Sequence, residues 1–133
     1  ELEFNGDDCY CGKKGCTEQV ISGPALERYY ARVSGESRSL KEILSLSAEG
    51  SDVHAENTID RLLEFYGKGI SSLINVIDPD LIIIGGGVGN IDLLYKEGYE
   101  RIKKYIFNKG VVSTPIVKPV LGDSAGVFGA ALL

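Results

Sequence analysis

Three cysteines are the residues of this sequence whose type and spacing most clearly favour a specific chemistry. They lie near the start of the chain, in the segment Cys9-Tyr10-Cys11-Gly12-Lys13-Lys14-Gly15-Cys16. A disulfide framework favours an even number of cysteines, and cysteines separated by one residue seldom meet the Cα spacing that a disulfide requires. Thiolates are common zinc ligands, and glycines allow a short loop to wrap a tetrahedral ion. We therefore predict a structural Zn²⁺ bound by Cys9, Cys11 and Cys16, with free thiols as the alternative.

The same loop supplies three ligands, whereas a closed structural zinc site has four. His54 is the single histidine of the chain, but a histidine at the start of a helix is more often solvated than bound to a metal. Asp7, Asp8 or a water molecule are further candidates, and a residue preceding Glu1 is favoured over all of them. The two lysines of the loop are expected to lower the pKa values of the thiols and so to favour thiolates.

A second candidate site is the run Gly85-Gly86-Gly87, which follows the apolar segment Leu81–Ile84. Ligands of α/β sheets bind beyond the carboxyl ends of the strands, and glycine lets a nucleotide approach the backbone closely. A helix that starts after the glycines would also favour a phosphate at its N-terminus. A tight turn is the usual explanation of such a run, so the glycines alone are weak evidence.

The helices and strands that must position these residues are predicted from hydrophobic periodicity and from capping residues, glycines and prolines. Residues 1–23 lack periodicity and predict a loop. Helices are expected from Gly23-Pro24, from Ser39 with a capping box to Glu42, and from about His54 to Ile77. Gly67 and Gly69 lie inside that last helix, where each costs about 1 kcal/mol relative to alanine, which suggests that another backbone approaches closely there.

The second half of the chain predicts strands that alternate with helices. Leu81–Ile84 is apolar on both faces and predicts a central parallel strand, and Thr114–Leu121 predicts a second strand. A helix is expected between them over residues 91–106, and a turn at residues 122–124 precedes a final helix over Ala125–Leu133. The fold class is therefore α/β with a parallel sheet. Two buried parallel strands do not complete a sheet, so further strands are expected from outside this chain.

Composition restricts the class of protein. The 133 residues carry a formal net charge of −5, with 44% hydrophobic and 25% charged residues. An acidic chain of this kind argues against a nucleic-acid surface, which requires a basic face. No apolar run approaches the roughly 20 residues that span a bilayer, and the short acidic start, Glu1–Phe4, does not resemble a signal peptide. We expect a cytoplasmic protein that uses neither membrane nor nucleic acid as a partner of this segment.

The ordered pattern Cys9-x-Cys11-Gly12-x-x-Gly15-Cys16-x-Glu18 resembles the zinc signature of the ROK family (repressor, ORF, kinase). Residues 22–26, 80–88 and 126–131 resemble the family as well, so the likeness extends along the whole chain. The resemblance implies the C-terminal lobe of an actin-like, hexokinase-like (ribonuclease H-like) ATPase fold, incomplete here, with a zinc-binding loop. It also implies that the fourth zinc ligand is a histidine upstream of the cysteines.

The resemblance assigns roles to individual residues. Glu18 is expected to bind sugar hydroxyls, where the alternative is a solvated glutamate beside a lysine-rich loop. Gly85, Gly86 and Gly87 are assigned to the adenosine side of an ATP site. Gly126 and Gly129 are expected to pack in the last helix. No catalytic residue is assigned within this chain, because the family's catalytic aspartate and phosphate-binding loop lie upstream.

The function expected from the resemblance is a part of an ATP-dependent hexose kinase, similar to glucokinases and fructokinases. MgATP would be the co-substrate, and this chain alone would be inactive. Its partners would be a hexose, ATP, an N-terminal lobe and a second copy in a homodimer. The domain would be one partial lobe, with a zinc and sugar loop over residues 1–23 and a nucleotide-side α/β core over residues 24–133. The alternatives are the sugar-sensing domain of a ROK repressor and a zinc-stapled interaction domain.

Overall fold

The computed structural model describes residues 1–120, 122 and 129–131. The chain divides into two compact units, Glu1–Tyr66 and Gly67–Leu133. Residues 129–131 are helical, and the rest of the predicted final helix, with Gly126 and most of the preceding turn, lies outside the described residues. Gly129 is exposed, and no described atom lies within 4 Å of the position of an added Cβ, so the described residues supply no packing partner for this glycine.

Helix α1 spans Thr17–Ile21 in a segment that was predicted to be a loop. Cys16 precedes it with an extended backbone, at φ −65° and ψ 153°, and Val20 is the residue that α1 buries. A helix of five residues is too short to show a 3.6-residue repeat, which is why periodicity does not reveal it. Its consequence is that the last cysteine and Glu18 lie at the start of a helix and not in an irregular loop.

Helices α2 (Gly23–Ser34) and α3 (Leu40–Glu49) begin where the proline and the capping residues predict. The Ser22 hydroxyl caps α2 by accepting a hydrogen bond from the Ala25 amide at 3.3 Å. The capping box predicted for α3 is confirmed, because the side chains of Ser39 and Glu42 each bond the other residue's backbone amide. The buried face of α2 includes Leu26 and Tyr30, whereas Val33 is 36% exposed.

Helix α4 spans Val53–Ile77 and confirms the longest predicted helix. Asp52 begins it, since one carboxylate oxygen accepts hydrogen bonds from the amides of His54 and Ala55. The other oxygen accepts a bond from the buried Tyr30 hydroxyl at 2.6 Å, and this bond lowers the pKa of Asp52. Most of the apolar residues that follow the helical repeat of α4 are buried, but Leu73 and Ile77 are 48% and 65% exposed.

The second unit contains two very short parallel strands, β1 (Ile82–Ile83) and β2 (Ile116–Val117). Ile82 pairs with Ile116 and Ile83 with Val117, which confirms the parallel arrangement. Both strands are shorter than predicted. Ile83 is 56% exposed, so the described residues leave one face of β1 uncovered. None of the helices that the structure describes combines the length and the apolar character needed to cross a membrane.

The single helix predicted over residues 91–106 is interrupted. A 3₁₀ helix spans Asp92–Tyr95, and helix α5 spans Glu97–Lys103. Lys96 separates them with φ −111° and ψ −81°. Most of the apolar residues of this segment are nevertheless buried, namely Ile91, Leu94, Ile102 and Ile106, whereas Tyr105 is 36% exposed.

The close approach predicted at Gly67 is confirmed. A Cβ added to Gly67 would lie 2.7 Å from the Cβ of Arg101 and 2.9 Å from its carbonyl carbon. Helix α5 therefore packs its backbone against α4 at a position where only glycine leaves room.

We expect Gly67→Ala to destabilise the fold by about 1–3 kcal/mol, the usual cost of overpacking. The direction is informative, because alanine in a helix interior normally stabilises by about 1 kcal/mol relative to glycine. Urea unfolding of the full-length protein measures the change. Gly87→Ala is the control, since no atom of residues 1–120, 122 or 129–131 lies within 4 Å of an added Cβ there; a Gly67→Ala variant as stable as this control would contradict the packing argument.

Candidate functional site

The structure brings the three cysteines together. The sulfur atoms of Cys9, Cys11 and Cys16 all lie within 4.8 Å of one another, and those of Cys11 and Cys16 are 3.5 Å apart. All three are free thiols. Sulfur atoms around a tetrahedral zinc at about 2.3 Å would be roughly 3.8 Å apart, so the cluster has the size that a bound ion requires.

A tight hairpin produces this arrangement. The Cys9 amide donates to the Lys13 carbonyl at 2.8 Å, and the Gly12 amide donates to the Cys9 carbonyl at 2.9 Å. Gly12 and Gly15 have φ of 82° and 60°, the left-handed values expected of glycines in a wrapping loop. The hairpin folds Cys11 and Cys16 back towards Cys9, which is buried.

The three thiols do not ionise equally. The backbone amide of Lys13 hydrogen-bonds the Cys11 sulfur and, with the neighbouring thiols, lowers the pKa of Cys11. The hydrogen bond with Cys11, together with burial, raises the pKa of Cys16 to about 11. The prediction that the lysines lower the thiol pKa values therefore fails for Cys16. A cation is what would hold all three sulfurs as thiolates, because metal binding displaces their protons.

The structure does not bring a fourth ligand to the cluster from the described residues. The Asp7 carboxylate accepts a hydrogen bond from Arg32 at 2.9 Å, and Asp8 pairs with Lys14 at 3.3 Å. His54 lies in the first turn of α4 and is not a member of the cluster. Asp7, Asp8 and His54 are thus not ligands in this arrangement.

Glu18 lies in the first turn of α1, two residues beyond Cys16. The residue is exposed, and no other residue in the described part of the chain bonds its carboxylate. Its backbone carbonyl accepts a hydrogen bond from the Ser22 hydroxyl at 2.6 Å, which ties α1 to the start of α2. The carboxylate is therefore free to accept hydrogen bonds from a ligand, while the helix that carries it begins at a cysteine of the cluster.

The glycine run Gly85–Gly87 lies beyond the carboxyl end of β1 and is exposed. No atom of the described residues lies within 4 Å of a Cβ added to any of the three, so those residues leave the surface above them open. They lead into a 3₁₀ helix over Gly87–Asn90, which is too short to act as the helix N-terminus expected to attract phosphate. The run belongs to the second unit, and the cysteine cluster and Glu18 belong to the first.

Two residues beside this run escaped the sequence analysis. Gly89 is the glycine that packs tightly, because an added Cβ would overlap the Ile84 carbonyl oxygen. Lys118 follows β2 and lies at the same sheet edge, where its ammonium donates to Asp92 at 2.6 Å and to the Asn90 carbonyl at 3.2 Å. Lys118 lies inside the segment Thr114–Leu121 that was predicted as one strand, so its sequence position gave no signal of this role, and only the shorter observed strand places it at the sheet edge.

Comparison with known proteins gives one family. The sequence model of the ROK family matches residues 1–133. The N-acetyl-D-glucosamine kinase of Aliivibrio fischeri is 37% identical over 126 residues, which cover 95% of this chain and 41% of that kinase. The chain thus spans about two fifths of the length of the curated relatives that it matches.

Solved structures are similar over nearly the whole chain. The ROK hexokinase from Thermus thermophilus is 32% identical with a TM-score of 0.80, covering 96% of this chain and 42% of its own. A ROK family glucokinase from Streptomyces griseus, solved with glucose and AMPPNP, is 27% identical with a TM-score of 0.77, covering 96% and 46%. A ROK family transcriptional regulator, a homologue of the E. coli MLC protein, is 27% identical with a TM-score of 0.67, covering 87% and 32%.

In metal-free protein, we expect alkylation at Cys11 before Cys16 and Cys9. Cys11 is exposed and its pKa is lowered, whereas the thiol of Cys16 is held protonated and Cys9 is buried. Brief treatment with iodoacetamide at neutral pH after chelation, followed by peptide mass spectrometry, measures the order. A Cys11→Ser variant is the control and should lose the fast label; a first label on Cys16 would contradict the assignment.

Proposed function

The chain belongs to the ROK family, and we propose that it is the part of an ATP-dependent hexose kinase that contains a structural zinc loop, a sugar contact and one side of the nucleotide site. The main support for this proposal is that the cysteine cluster is directly connected to helix α1. Cys16 is the residue at which α1 begins, and Glu18 lies in its first turn. A metal held by the cluster would therefore fix the place of the sugar-binding carboxylate.

The proposed metal is Zn²⁺, held by Cys9, Cys11 and Cys16. Three thiols clustered on a glycine-bearing hairpin have the donor chemistry and spacing that suit this ion. The role is structural, since a bound zinc contributes free energy to the folding of the loop that supplies its ligands. A fourth ligand from outside the described residues would close the site, and a histidine preceding the cysteines is the proposed candidate.

The proposed substrate contact is Glu18. A carboxylate has two acceptor oxygens, so it can receive hydrogen bonds from two vicinal hydroxyls of a sugar. Its exposure and its lack of a partner among the described side chains support this role. N-acetylglucosamine and glucose are the first sugars to test, because the similar kinases are named for them or solved with them.

The proposed nucleotide contacts are Gly85, Gly86 and Gly87, at the adenosine side of MgATP. Their open surface beyond the end of β1 supports this assignment. In the full-length protein, a base from outside this chain would take the proton of a sugar hydroxyl, the oxygen would attack the γ-phosphorus and ADP would leave. This chain alone is therefore proposed to be inactive.

The proposed setting is the C-terminal lobe of an actin-like, hexokinase-like ATPase fold, in a cytoplasmic homodimer. The similarity to a transcriptional regulator favours a second candidate, the sugar-sensing half of a ROK repressor. The two differ in chemistry and not in sugar binding. ATP-dependent phosphorylation of a hexose by the full-length protein, followed as ADP release, separates them, and sugar binding without turnover would favour the repressor.

We expect the full-length protein to contain one zinc per chain at this cluster. Elemental analysis after removal of loosely bound metal measures it, and Cys9→Ser and Cys16→Ser should each lose the metal, because a serine hydroxyl does not replace a thiolate ligand. Tyr10→Ser is the matched control, since Tyr10 is 90% exposed between two ligands. Zinc-free protein with a Cys9–Cys16 disulfide would contradict the proposed site.

We expect Glu18→Gln to weaken hexose binding by about 10- to 150-fold and to leave nucleotide binding almost unchanged. Glutamine keeps the size but replaces an acceptor with a donor, and a hydrogen bond to a charged group contributes roughly 1.5–3 kcal/mol. Calorimetric titration with hexose and with nucleotide measures both. Glu56→Gln is the control, because Glu56 is another exposed glutamate in the first turn of a helix; equal hexose affinity in both variants would remove Glu18 from the site.

A further inference from the structure

An ion pair links the start of the chain to helix α4. The Arg61 guanidinium donates two parallel hydrogen bonds to the Glu3 carboxylate, Nη1 to Oε1 and Nη2 to Oε2, each at 2.7 Å. The two side chains are only 14% and 25% exposed, whereas those of the surface pair Arg38–Glu36 are 43% and 60% exposed. A bidentate pair of this kind fixes orientation as well as distance.

Aromatic rings hold Arg61 in place. The centre of its guanidinium lies 4.6 Å from the centroid of the Tyr29 ring, on α2, and 4.7 Å from that of Phe65, one turn later on α4. The Nε atom is buried without a hydrogen-bond partner in the described part of the chain. The guanidinium therefore directs its described hydrogen bonds to Glu3, from a position that stacking makes rigid.

Glu3 in turn rests on the residue that precedes the last cysteine. The amides of Leu2 and Glu3 donate to the Gly15 carbonyl at 2.7 and 3.1 Å. A Cβ added to Gly15 would overlap the Glu3 carbonyl oxygen, so the two backbones are in direct contact. A displacement of Glu3 must therefore displace Gly15 and, through one peptide bond, Cys16.

A second ion pair, between Arg32 and Asp7, supports the other side of Gly15. The Gly15 amide donates a hydrogen bond to the Asp7 carbonyl at 2.9 Å, and the Asp7 carboxylate accepts a hydrogen bond from Arg32 on α2. Arg32 and Asp7 are both more exposed than the first pair, at 55% and 38%. The Arg61–Glu3 pair is thus the more rigid of the two supports, because solvent competes less with it.

We propose that Arg61 is a positioning residue for the cysteine cluster: by holding Glu3 against Gly15, it sets the place of the Cys16 sulfur and hence the affinity of the cluster for zinc. This inference rests on the proposed zinc site. Residues that orient metal ligands without touching the metal commonly change its affinity by about 10- to 100-fold when they are replaced. Arg61 would act in this way through a backbone contact and not through a hydrogen bond to a ligand.

The test measures zinc affinity of the full-length protein by competition with a chromophoric chelator. Arg61→Lys keeps the charge and the stem but loses the two-pronged bond, and Glu3→Gln keeps the size but loses the charge. Each is expected to weaken zinc binding by about 10- to 100-fold. The double variant should bind little more weakly than either single variant, because both remove the same support. Arg38→Lys, in the exposed pair, should bind zinc as the wild type does.

Spectroscopy separates positioning from a general loss of stability. With Co²⁺ in place of zinc, the Arg61→Lys and Glu3→Gln proteins should show altered ligand-field bands while their circular dichroism remains that of the folded wild type. If Arg61→Lys fails to fold, Glu3→Gln carries the test alone. Unchanged zinc affinity and unchanged cobalt bands in folded Glu3→Gln would overturn the inference and leave the zinc site intact. A wild-type protein that binds no zinc would overturn the zinc site, and the inference with it.

Discussion

The close placement of three sulfur atoms is the constraint on which the first unit depends. The three thiols lie within 4.8 Å of one another and do not ionise together, since hydrogen bonds lower the pKa of Cys11 while the hydrogen bond with Cys11 and burial raise that of Cys16 to about 11. The hairpin is therefore held by contacts outside the cluster, and three thiolates side by side would need a cation among them. The structure supplies the first through paired arginines and carboxylates, and the chemistry of the thiols favours the second.

Because the cluster ends where α1 begins, the position of the cysteines affects the position of the neighbouring helices. The start of α1 is set at Cys16, and the Ser22 hydroxyl then bonds both the Glu18 carbonyl in the first turn of α1 and the Ala25 amide in the first turn of α2. Tyr30 continues the connection by bonding Asp52, whose carboxylate also caps α4. A loop without a repeat of its own is thereby joined to three helices by hydrogen bonds between side chains and backbone.

The sequence predicted the helices that have a long hydrophobic repeat or a clear capping motif. It did not predict the short helix. Helix α4 was predicted because many residues follow its repeat, and the capping box of α3 was predicted because two residue types stand at a fixed spacing. Helix α1 and the interruption at Lys96 were not, since five residues give no repeat and the buried residues on both sides of Lys96 still follow one helical pattern. The proposed site residues Cys9, Cys11, Cys16 and Glu18 come from a motif, whereas the ion pair of Arg61 is invisible without coordinates. Its partner Glu3 lies 58 positions away along the chain.

The packing around individual glycines also cannot be predicted from the sequence. It determines which substitutions the cysteine loop can accept. Gly67, Gly89 and Gly15 have a neighbouring backbone where a side chain would begin, while Gly85 has open space. Lys13 and Lys14 are exposed, so the loop has room for other side chains at these two positions. At Gly15 a single methyl group would meet the Glu3 carbonyl and would also demand a φ of 60° from an ordinary residue. The loop can thus be lost through a substitution that leaves every cysteine unchanged.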